Sequence, residues 1–366
     1  MKILYYADAE PGGLANYAVH QAVAIREAGA EVTVLGLPHL RKPMMEKCAD
    51  LNFIELYDSP RGNNKWIRGL QSIPRKRKQF QQLSKLIDDC GYKHVLLSAY
   101  AEYFSPFWAG ILKRQHQRGI RFGVVVHDPI RNFQVGPRWW HRSSIEKAYS
   151  FIDVAYVHGL GGLDAGKLSK SLEICIIPHG PYDVTVKETD LRLLVRKELD
   201  IPSASRVWLA FGHVRDSKNL DLAIQALAAF PEDHLLVVGS VQSSCQRPIE
   251  SYQKLATSLD VNRRCHWINT FVPDSEVYKY FQASDLLLLL YSRSFHSASG
   301  VLNNGVQFEL PVVASSGAGP LLDCVQEYDL GVCVQPDSLE AVVSGIKDLS
   351  RATSSRWNQY RHDHSW

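Results

Sequence analysis

The strongest constraint on the fold is the order of four stretches at the start of the chain. Lys2-Ile-Leu-Tyr-Tyr6 has the composition of a strand, and Asp8-Ala-Glu-Pro-Gly-Gly13 reads as a turn. Across 14–28, Leu14, Ala18, Ala22 and Ile25 fall at three- and four-residue steps, which puts them on one helical face. Gly29 ends that helix, and Glu31-Val-Thr-Val-Leu35 is the next strand. Strand, glycine turn, helix, strand is a βαβ unit and implies a parallel sheet.

The same alternation continues. Further strands are expected at 95–97, 122–126, 152–157 and 174–177, separated by helical stretches. The pattern then restarts, with a strand at 207–211, a turn, a helix over 220–230, and strands at 235–238, 265–268, 286–290 and 311–314. A chain of 366 residues is too long for one ordinary core. The expectation is an α/β protein of two doubly wound parallel-sheet domains, 1–183 and 184–349, with a linker near 181–189. Over 337–349, Leu339, Val342, Val343, Ile346 and Leu349 form one apolar stripe, and either Asp337 or Ser338 suits its N-cap. The tail, 350–366, is polar with interspersed aromatics and could pack back on the first domain. Open parallel sheets bind ligands at the carboxyl ends of their strands, so two such sheets facing each other would enclose an interdomain cleft.

Several classes are excluded by composition. No apolar stretch approaches the roughly 20 residues of a membrane-spanning helix, and the N-terminus enters a strand pattern without the architecture of a signal peptide. The seven cysteines are scattered from Cys48 to Cys333 with no C-x-x-C, so neither a disulfide framework nor a zinc site is indicated. A reducing cytoplasm is the expected location. The net charge of +3 conceals an asymmetry: 1–185 carries 24 basic against 17 acidic residues, and the remainder 17 against 21. An anionic partner for the first half follows, either lipid or nucleic acid on charge alone.

Chemistry is expected at the strand-to-helix turns. Gly12 and Gly13, after the first strand, allow close backbone approach. No G-x-G-x-x-G follows that strand, and the nearest approach, 159–166, places Asp164 at the third glycine, which disfavours a dinucleotide fold. His127 closes the strand 122–126. After the strand 207–211, Gly212 leads to Arg215 and Lys218, two cations able to neutralise a diphosphate, although Asp216 could pair with either. The stretch 291–320 follows the apolar run 286–290, and its small residues at 297–301 include Ser299, Gly300 and Val301 at a helix start. That is either a phosphate cradle or a Ser N-cap with no ligand. There is no D-x-D, so a metal-bridged diphosphate is not expected. Residues 61–85 interleave basic residues with Trp66, Ile67, Leu70, Ile73 and Phe80, a mixture suited to an anionic membrane surface; Arg138-Trp-Trp-His-Arg142 could join it. A solvated basic face is the alternative, and nucleic acid is disfavoured.

In order and spacing, these motifs resemble the glycosyltransferases of family 4, retaining enzymes with the GT-B fold of two Rossmann-like domains. Pro11-Gly12-Gly13 is similar to that family's glycine loop and Val126-His127-Asp128 to its catalytic-histidine segment. Phe211-Gly212 with Arg215 and Lys218 resembles the FG-x-I-R-x-x-KG pattern of an exopolysaccharide-type branch, and Ser299-Gly300-Val301 its S-G-V. Pro311-Val-Val-Ala-Ser315 resembles that branch's P-V-V-A-S. The chain departs from the family at four places. His296 and Asn304 stand where many members carry paired glutamates, Asn219 follows the lysine in place of glycine, and His213 stands where many carry arginine.

The resemblance implies sugar transfer from a UDP- or GDP-linked donor to a glycan or lipid-linked acceptor, with retention and without metal or other cofactor, in polysaccharide or glycoconjugate synthesis. Arg215, Lys218 and the backbone at 299–301 would hold the diphosphate, with Gly212, His296 and Asn304 about the donor. His127 would orient sugar or acceptor, Gly12 and Gly13 would admit acceptor or diphosphate, and Phe271 and Val272 would read the base. The enzyme would be cytoplasmic, at most peripheral to the membrane. The alternative is a non-catalytic glycosyltransferase-like partner that has lost the carboxylates.

Overall fold

In a computed structural model, residues 1–58, 65–99, 101–129, 134, 136–159, 172–182, 191–243, 245–349 and 356–366 are described. They form two compact units, Met1–Ile177 with Trp366, and Pro178–Ser365. The expected boundary at 183/184 lies outside the described residues.

The first unit runs β1 (Lys2–Ala7), α1 (Gly13–Glu27), β2 (Glu31–Gly36), α2 (Pro38–Lys47), β3 (Asn52–Glu55) and α3 (Lys65–Cys90), then β4 (His94–Ala99), α4 (Ala109–Gln117), β5 (Arg121–Val126), α5 (Arg138–Tyr149), β6 (Val154–Val157) and β7 (Glu173–Ile176). All strand pairs are parallel, in the order β3-β2-β1-β4-β5-β6-β7. Order reverses between β1 and β4, so the carboxyl ends of those two strands flank the switch point where such sheets bind ligands.

The second unit contains α6 (Arg192–Glu198), β8 (Val207–Phe211), α7 (Leu220–Leu227), β9 (His234–Val238), α8 (Ile249–Ser258), β10 (Cys265–Ile268) and α9 (Asp274–Gln282). These are followed by β11 (Leu286–Leu290), α10 (Gly300–Gly305), β12 (Val312–Ser315), α11 (Pro320–Glu327), β13 (Gly331–Cys333), α12 (Leu339–Leu349) and α13 (Trp357–Asp363). Its sheet is again parallel, ordered β10-β9-β8-β11-β12-β13, with the switch between β8 and β11.

Parallel sheets are covered on both faces, which explains unbroken apolar strands. In β11, Leu287 and Leu289 join one core cluster while Leu286, Leu288 and Leu290 join the other. Val207 and Leu209 of β8 follow the first cluster, and Trp208 the second. The two-residue period therefore assigns each side chain to a face, and a strand slipped by one residue would exchange the faces.

The sheet is anchored at its amino end by buried charge. The carboxylate of Asp285 accepts from Arg196 at 2.5 Å, from Arg192, and from the backbone N–H of Val207 at 2.7 Å. Arg196 is buried and also donates to the carbonyls of Ala283, Ser203 and Ser205. A guanidinium removed from water is tolerated only when its donors are met in this way.

Helix α3 contains Pro74, which supplies no N–H to the helical ladder. Its residues Phe80, Leu83 and Ile87 are core, and Phe80 stacks on Trp108 at 4.1 Å and on Tyr6 at 5.4 Å. Arg75 pairs with Asp58 at 3.0 Å and Lys76 with Asp8. Phe80, Arg75 and Lys76 of the aromatic and basic stretch 61–85 are thus committed within the first unit; 61–64, and the side chains over 65–71, lie outside the described residues. In the tail, Trp357 and Tyr360 of α13 belong to the second unit's core. Trp366 belongs to the first unit, where its ring lies 5.0 Å from that of Tyr17 and 5.5 Å from that of His20. Among the described residues, no helix is long and apolar enough to cross a membrane.

Candidate functional site

The second unit gathers its chemistry on the loops that leave β8, β9, β11 and β12. Gly212, directly after β8, has φ of +87°, a conformation side-chain-bearing residues rarely adopt. A β-carbon on it would lie 3.1 Å from Lys218 Nζ and 3.5 Å from Val301 Cγ2. Three of the sequence-predicted residues are thereby brought together around one point. The chain then returns through a 3-10 turn, Asp216–Lys218, to Asn219, which is left-handed with φ of 48° and ψ of 41°. Asparagine is among the few non-glycine residues that tolerate this region, so Asn219 can make a turn that glycine would otherwise be expected to make.

Lys218 Nζ donates to the carbonyl of Phe211 at 2.9 Å and lies 5.8 Å from the centre of the Tyr291 ring. Burial, and then the neighbouring Arg215, lower its pKa to about 7. Asp216 neutralises neither cation: its Oδ1 accepts from Arg247 Nε at 3.1 Å and from the Tyr252 hydroxyl at 3.2 Å. Arg215 Nε is buried with no hydrogen-bond partner. A donor of that kind is costly to bury unless something accepts from it. His213 is held neutral-leaning by burial and by Arg215. Beside Lys218 an apolar cavity opens, lined by Ala210, Val237, Leu288 and Leu290.

The loops are locked to one another. Gly239, after β9, sits so close under Gly212 that a β-carbon would be 2.3 Å from the Gly212 carbonyl oxygen. The Ser292 N–H donates to the carbonyl of Ser217 at 2.8 Å. Asp337 clamps both sides, accepting from Asn219 Nδ2 at 2.8 Å and from the Arg293 N–H at 3.0 Å. Of the two candidate caps for α12, Ser338 takes that part: its Oγ accepts from the Ala341 N–H at 3.2 Å.

Ser299 is the N-cap of α10, its Oγ accepting from the Leu302 N–H at 3.4 Å. The Tyr291 hydroxyl lies 3.0 Å from that oxygen, so the last residue before the turn positions the cap. The cap accounts for the serine itself, and the Val301 side chain is what α10 turns towards Gly212. His296 Nδ1 lies 2.8 Å from the carbonyl of Ala318 and donates to it. Gly317 and Gly319 are small because His296 packs there: β-carbons on them would lie 2.2 Å from its Cε1 and 2.7 Å from its carbonyl oxygen. Asn304 is half-buried on α10. Phe271 is exposed on the loop after β10, two strands from Gly212, and Val272 packs against the core.

Sequence reasoning passed over the neighbouring Asn303. This residue is buried, accepts from the Tyr360 hydroxyl at 2.7 Å and contacts His179. Tyr182, from the same segment as His179, places its hydroxyl 3.6 Å from where a Gly300 β-carbon would be. A polar residue at a core-facing helical position was the available signal for Asn303, and glycines within two residues of a strand end were the signal for Gly239 and Gly317.

The first unit carries the remaining candidates. Gly12 has φ of 137° and precedes α1, and β-carbons on Gly12 or Gly13 would meet nothing within 4 Å, so the loop is open to a ligand. His127 follows β5, with Nε2 3.0 Å from the carbonyl of Ser98. A carbonyl only accepts, so Nε2 carries the proton and Nδ1 is left as an acceptor. Burial, and then His158, push its pKa down to about 3; His158 is pushed down to about 4 by burial. Both rings lie against Tyr17, at 4.6 and 5.3 Å between centroids. Asp164 and the rest of 160–166 lie outside the described residues.

Two doubly wound parallel sheets, each with a glycine turn at its switch point, are what comparison with solved structures also returns. The Anabaena protein HepE (Alr3699), solved with UDP and glucose, superposes with a TM-score of 0.74 at 16% identity, covering 100% of this chain and 96% of that one. The chain has the GT-B fold. Sucrose-phosphate synthase of Thermosynechococcus elongatus gives 0.73 at 15% identity, covering 100% and 96%. WaaG, a glycosyltransferase involved in lipopolysaccharide biosynthesis, gives 0.65 at 16%, covering 100% and 95%. Within this GT-B chain, residues 192–362 match the family of glycosyl transferases group 1, a segment that contains Arg215, Lys218 and 299–301. No curated protein matches the sequence.

Proposed function

We propose that the chain transfers a sugar from a nucleoside diphosphate-sugar, with the diphosphate held in the second unit by Arg215, Lys218 and the backbone at Gly212, Gly300 and Val301. The observation that carries this reading is the buried Arg215 Nε without an acceptor, beside an ammonium whose pKa burial has lowered to about 7. Both groups would be satisfied by the same dianionic oxygens, Arg by its fork and Lys as a point charge. The match of 192–362 to group 1 glycosyl transferases supports it. That the similarly folded HepE binds UDP and UDP-glucose favours a uridine donor.

In the step proposed, the bond between the sugar's anomeric carbon and the diphosphate breaks, and its electron pair leaves with the phosphate oxygen. The two cations and the amides meet that charge as it grows, the largest contribution a site of this kind can make. No metal is required by this scheme. The acceptor hydroxyl bonds to the anomeric carbon from the face the phosphate leaves, giving retention, and its proton passes to the departing phosphate. His127, neutral with Nδ1 as an acceptor, orients a hydroxyl of sugar or acceptor rather than supplying a proton. Gly12 and Gly13 would leave room for acceptor or diphosphate, and Phe271 and Val272 would read the base. The acceptor would be a glycan or a lipid-linked glycan reached from the cytoplasmic side, with 61–85 a peripheral contact for anionic lipid.

A second reading rests on a specific observation: His296 is turned onto the Ala318 carbonyl and Asn304 is an amide, the two positions at which the family that the chain resembles often carries paired glutamates. It makes the chain a nucleotide-sugar-binding partner without turnover. Incubation of the purified protein with radiolabelled UDP-glucose and GDP-mannose separates the two. Release of free nucleotide, or sugar transferred to an added glycan or lipid-linked acceptor, supports the enzyme. Tight binding with no turnover of any donor supports the partner.

A further inference from the structure

Between the two cations of the loop after β8 the sequence places an acid: Arg215-Asp216-Ser217-Lys218. A carboxylate left free there would compete with a diphosphate for both cations and would oppose the phosphate oxygens as a like charge. The structure turns it away, and the residue that does so comes from the loop after β9. The two loops run side by side: the Val214 N–H donates to the Ser240 carbonyl at 3.0 Å, and the Gln242 N–H to the Val214 carbonyl at 3.2 Å. The Asp216 N–H donates to Gln246 Oε1 at 2.7 Å. Arg247 follows, and it meets Asp216 Oδ1 twice, through its backbone N–H and through Nε, each at 3.1 Å.

Arg247 also reaches the start of α7. Its Nη1 donates to Asp221 Oδ2 at 3.0 Å, and its guanidinium lies 4.8 Å from the centre of the Tyr252 ring. Tyr252, buried on α8, adds its own hydroxyl to Asp216 Oδ1 at 3.2 Å. A single ion pair between part-exposed side chains contributes little. Here three donors converge on one oxygen, and the guanidinium sits between two carboxylates, so the carboxylate of Asp216 has one fixed direction. Asp216 and Asp221 are the only acids in 212–227, and one side chain engages both. We propose that Arg247 is a positioning residue for the diphosphate site: by holding Asp216 and Asp221 it keeps Arg215 and Lys218 available to phosphate oxygens, without touching the nucleotide itself. This role rests on the diphosphate site proposed above, and it explains how an acid is accommodated between the site's cations.

The test compares the full chain with Arg247→Met, Asp216→Asn and the double variant, each shown to be folded by circular dichroism and a thermal melt. Titration with UDP should show Arg247→Met binding about tenfold or more weakly than wild type. An amide cannot neutralise a cation, so Asp216→Asn should bind within about threefold of wild type and should bring the double variant back to that range. Weak binding retained by the double variant would make Arg247 a loop tie or a direct nucleotide contact and overturns the proposal, as does unchanged binding by Arg247→Met. A second readout needs no nucleotide. The Lys218 side chain, followed by NMR through carbon-13 at Cε and assigned with Lys218→Met, should titrate at higher pH in Arg247→Met, where the freed carboxylate favours its charged form, and should return in the double variant. A Lys218 titration identical in all of these proteins overturns the proposal. If the titration moves as stated while none of the proteins binds UDP, the holding of Asp216 by Arg247 is supported and the nucleotide reading is the one contradicted.

Discussion

Gly239 stands beneath Gly212 so closely that a single added β-carbon would come within 2.3 Å of the Gly212 carbonyl oxygen. The first glycine-bearing loop of the second unit therefore rests on the second. Gly239 also has φ of 138°, which disfavours any side chain. Gly239→Ala is expected to cost about 1–3 kcal/mol of stability and to displace the Gly212 carbonyl, one residue from the Phe211 carbonyl that accepts from Lys218. Denaturant unfolding followed by nucleotide titration checks both, and an alanine variant with unchanged affinity would detach Gly239 from the site.

With a diphosphate beside Lys218, the state of that side chain should make nucleotide binding pH-dependent. Its pKa is lowered from 10.5 to about 7, so between those values the unfolded chain holds a proton that the folded chain has released. Stability from this group accordingly rises with pH across that window and is least below pH 7. A diphosphate beside Nζ favours the charged form and draws the pKa back up, so binding above pH 7 takes up a proton. UDP affinity should fall between pH 7 and 9, by up to about tenfold per unit. Calorimetry in two buffers of different ionisation enthalpy reads the proton directly, and Lys218→Met should abolish its uptake.

His127 and His158 act in the opposite range. Their pKa values of about 3 and about 4 lie below the ordinary 6.5. Between about pH 4 and 6.5 the unfolded chain binds protons that the folded chain refuses, so stability falls as pH falls through that window. Scanning calorimetry should show the first unit's melting temperature dropping below pH 6.5, and His158→Gln should make the drop shallower.

Most of the architecture was legible in the chain because each sheet is buried on both faces. A central strand such as β11 then reads as an uninterrupted apolar run bounded by Asp285 and Tyr291, and such runs fixed the two-sheet reading. The edge strands β3 and β13 are short, with few buried side chains, and carry no comparable signal. Pro74 obscured the helix α3, whose length depends on packing Phe80 and Leu83 rather than on local propensity. At the site, Gly212, Lys218 and Val301 stood out in the chain by turn chemistry, because glycine and cations where a strand gives way to a helix suit an anion, and the structure brings the three together. The clamp through Asp337 could not, because it joins residues 118 apart in the chain. The Asn303 link to Tyr360, 57 residues away, was hidden for the same reason.

The anchor at the amino end of the second sheet gives a stability prediction independent of function. Removing the Asp285 carboxylate leaves Arg196 buried beside a lost partner and the Val207 N–H without its acceptor. Asp285→Ala should destabilise the second unit by about 3–5 kcal/mol. Chemical denaturation should show this as a lower midpoint for that unit, whereas a change below about 1 kcal/mol would mean that the network relaxes around the loss.

The central claim is that Arg215 and Lys218 hold a nucleotide diphosphate, and isothermal titration of UDP into the wild type, Arg215→Ala and Lys218→Ala tests it most directly. Each substitution should weaken binding by about 2–3 kcal/mol, on the order of 30- to 150-fold, with little change in melting temperature. Wild-type affinity retained by both folded variants would contradict the assignment.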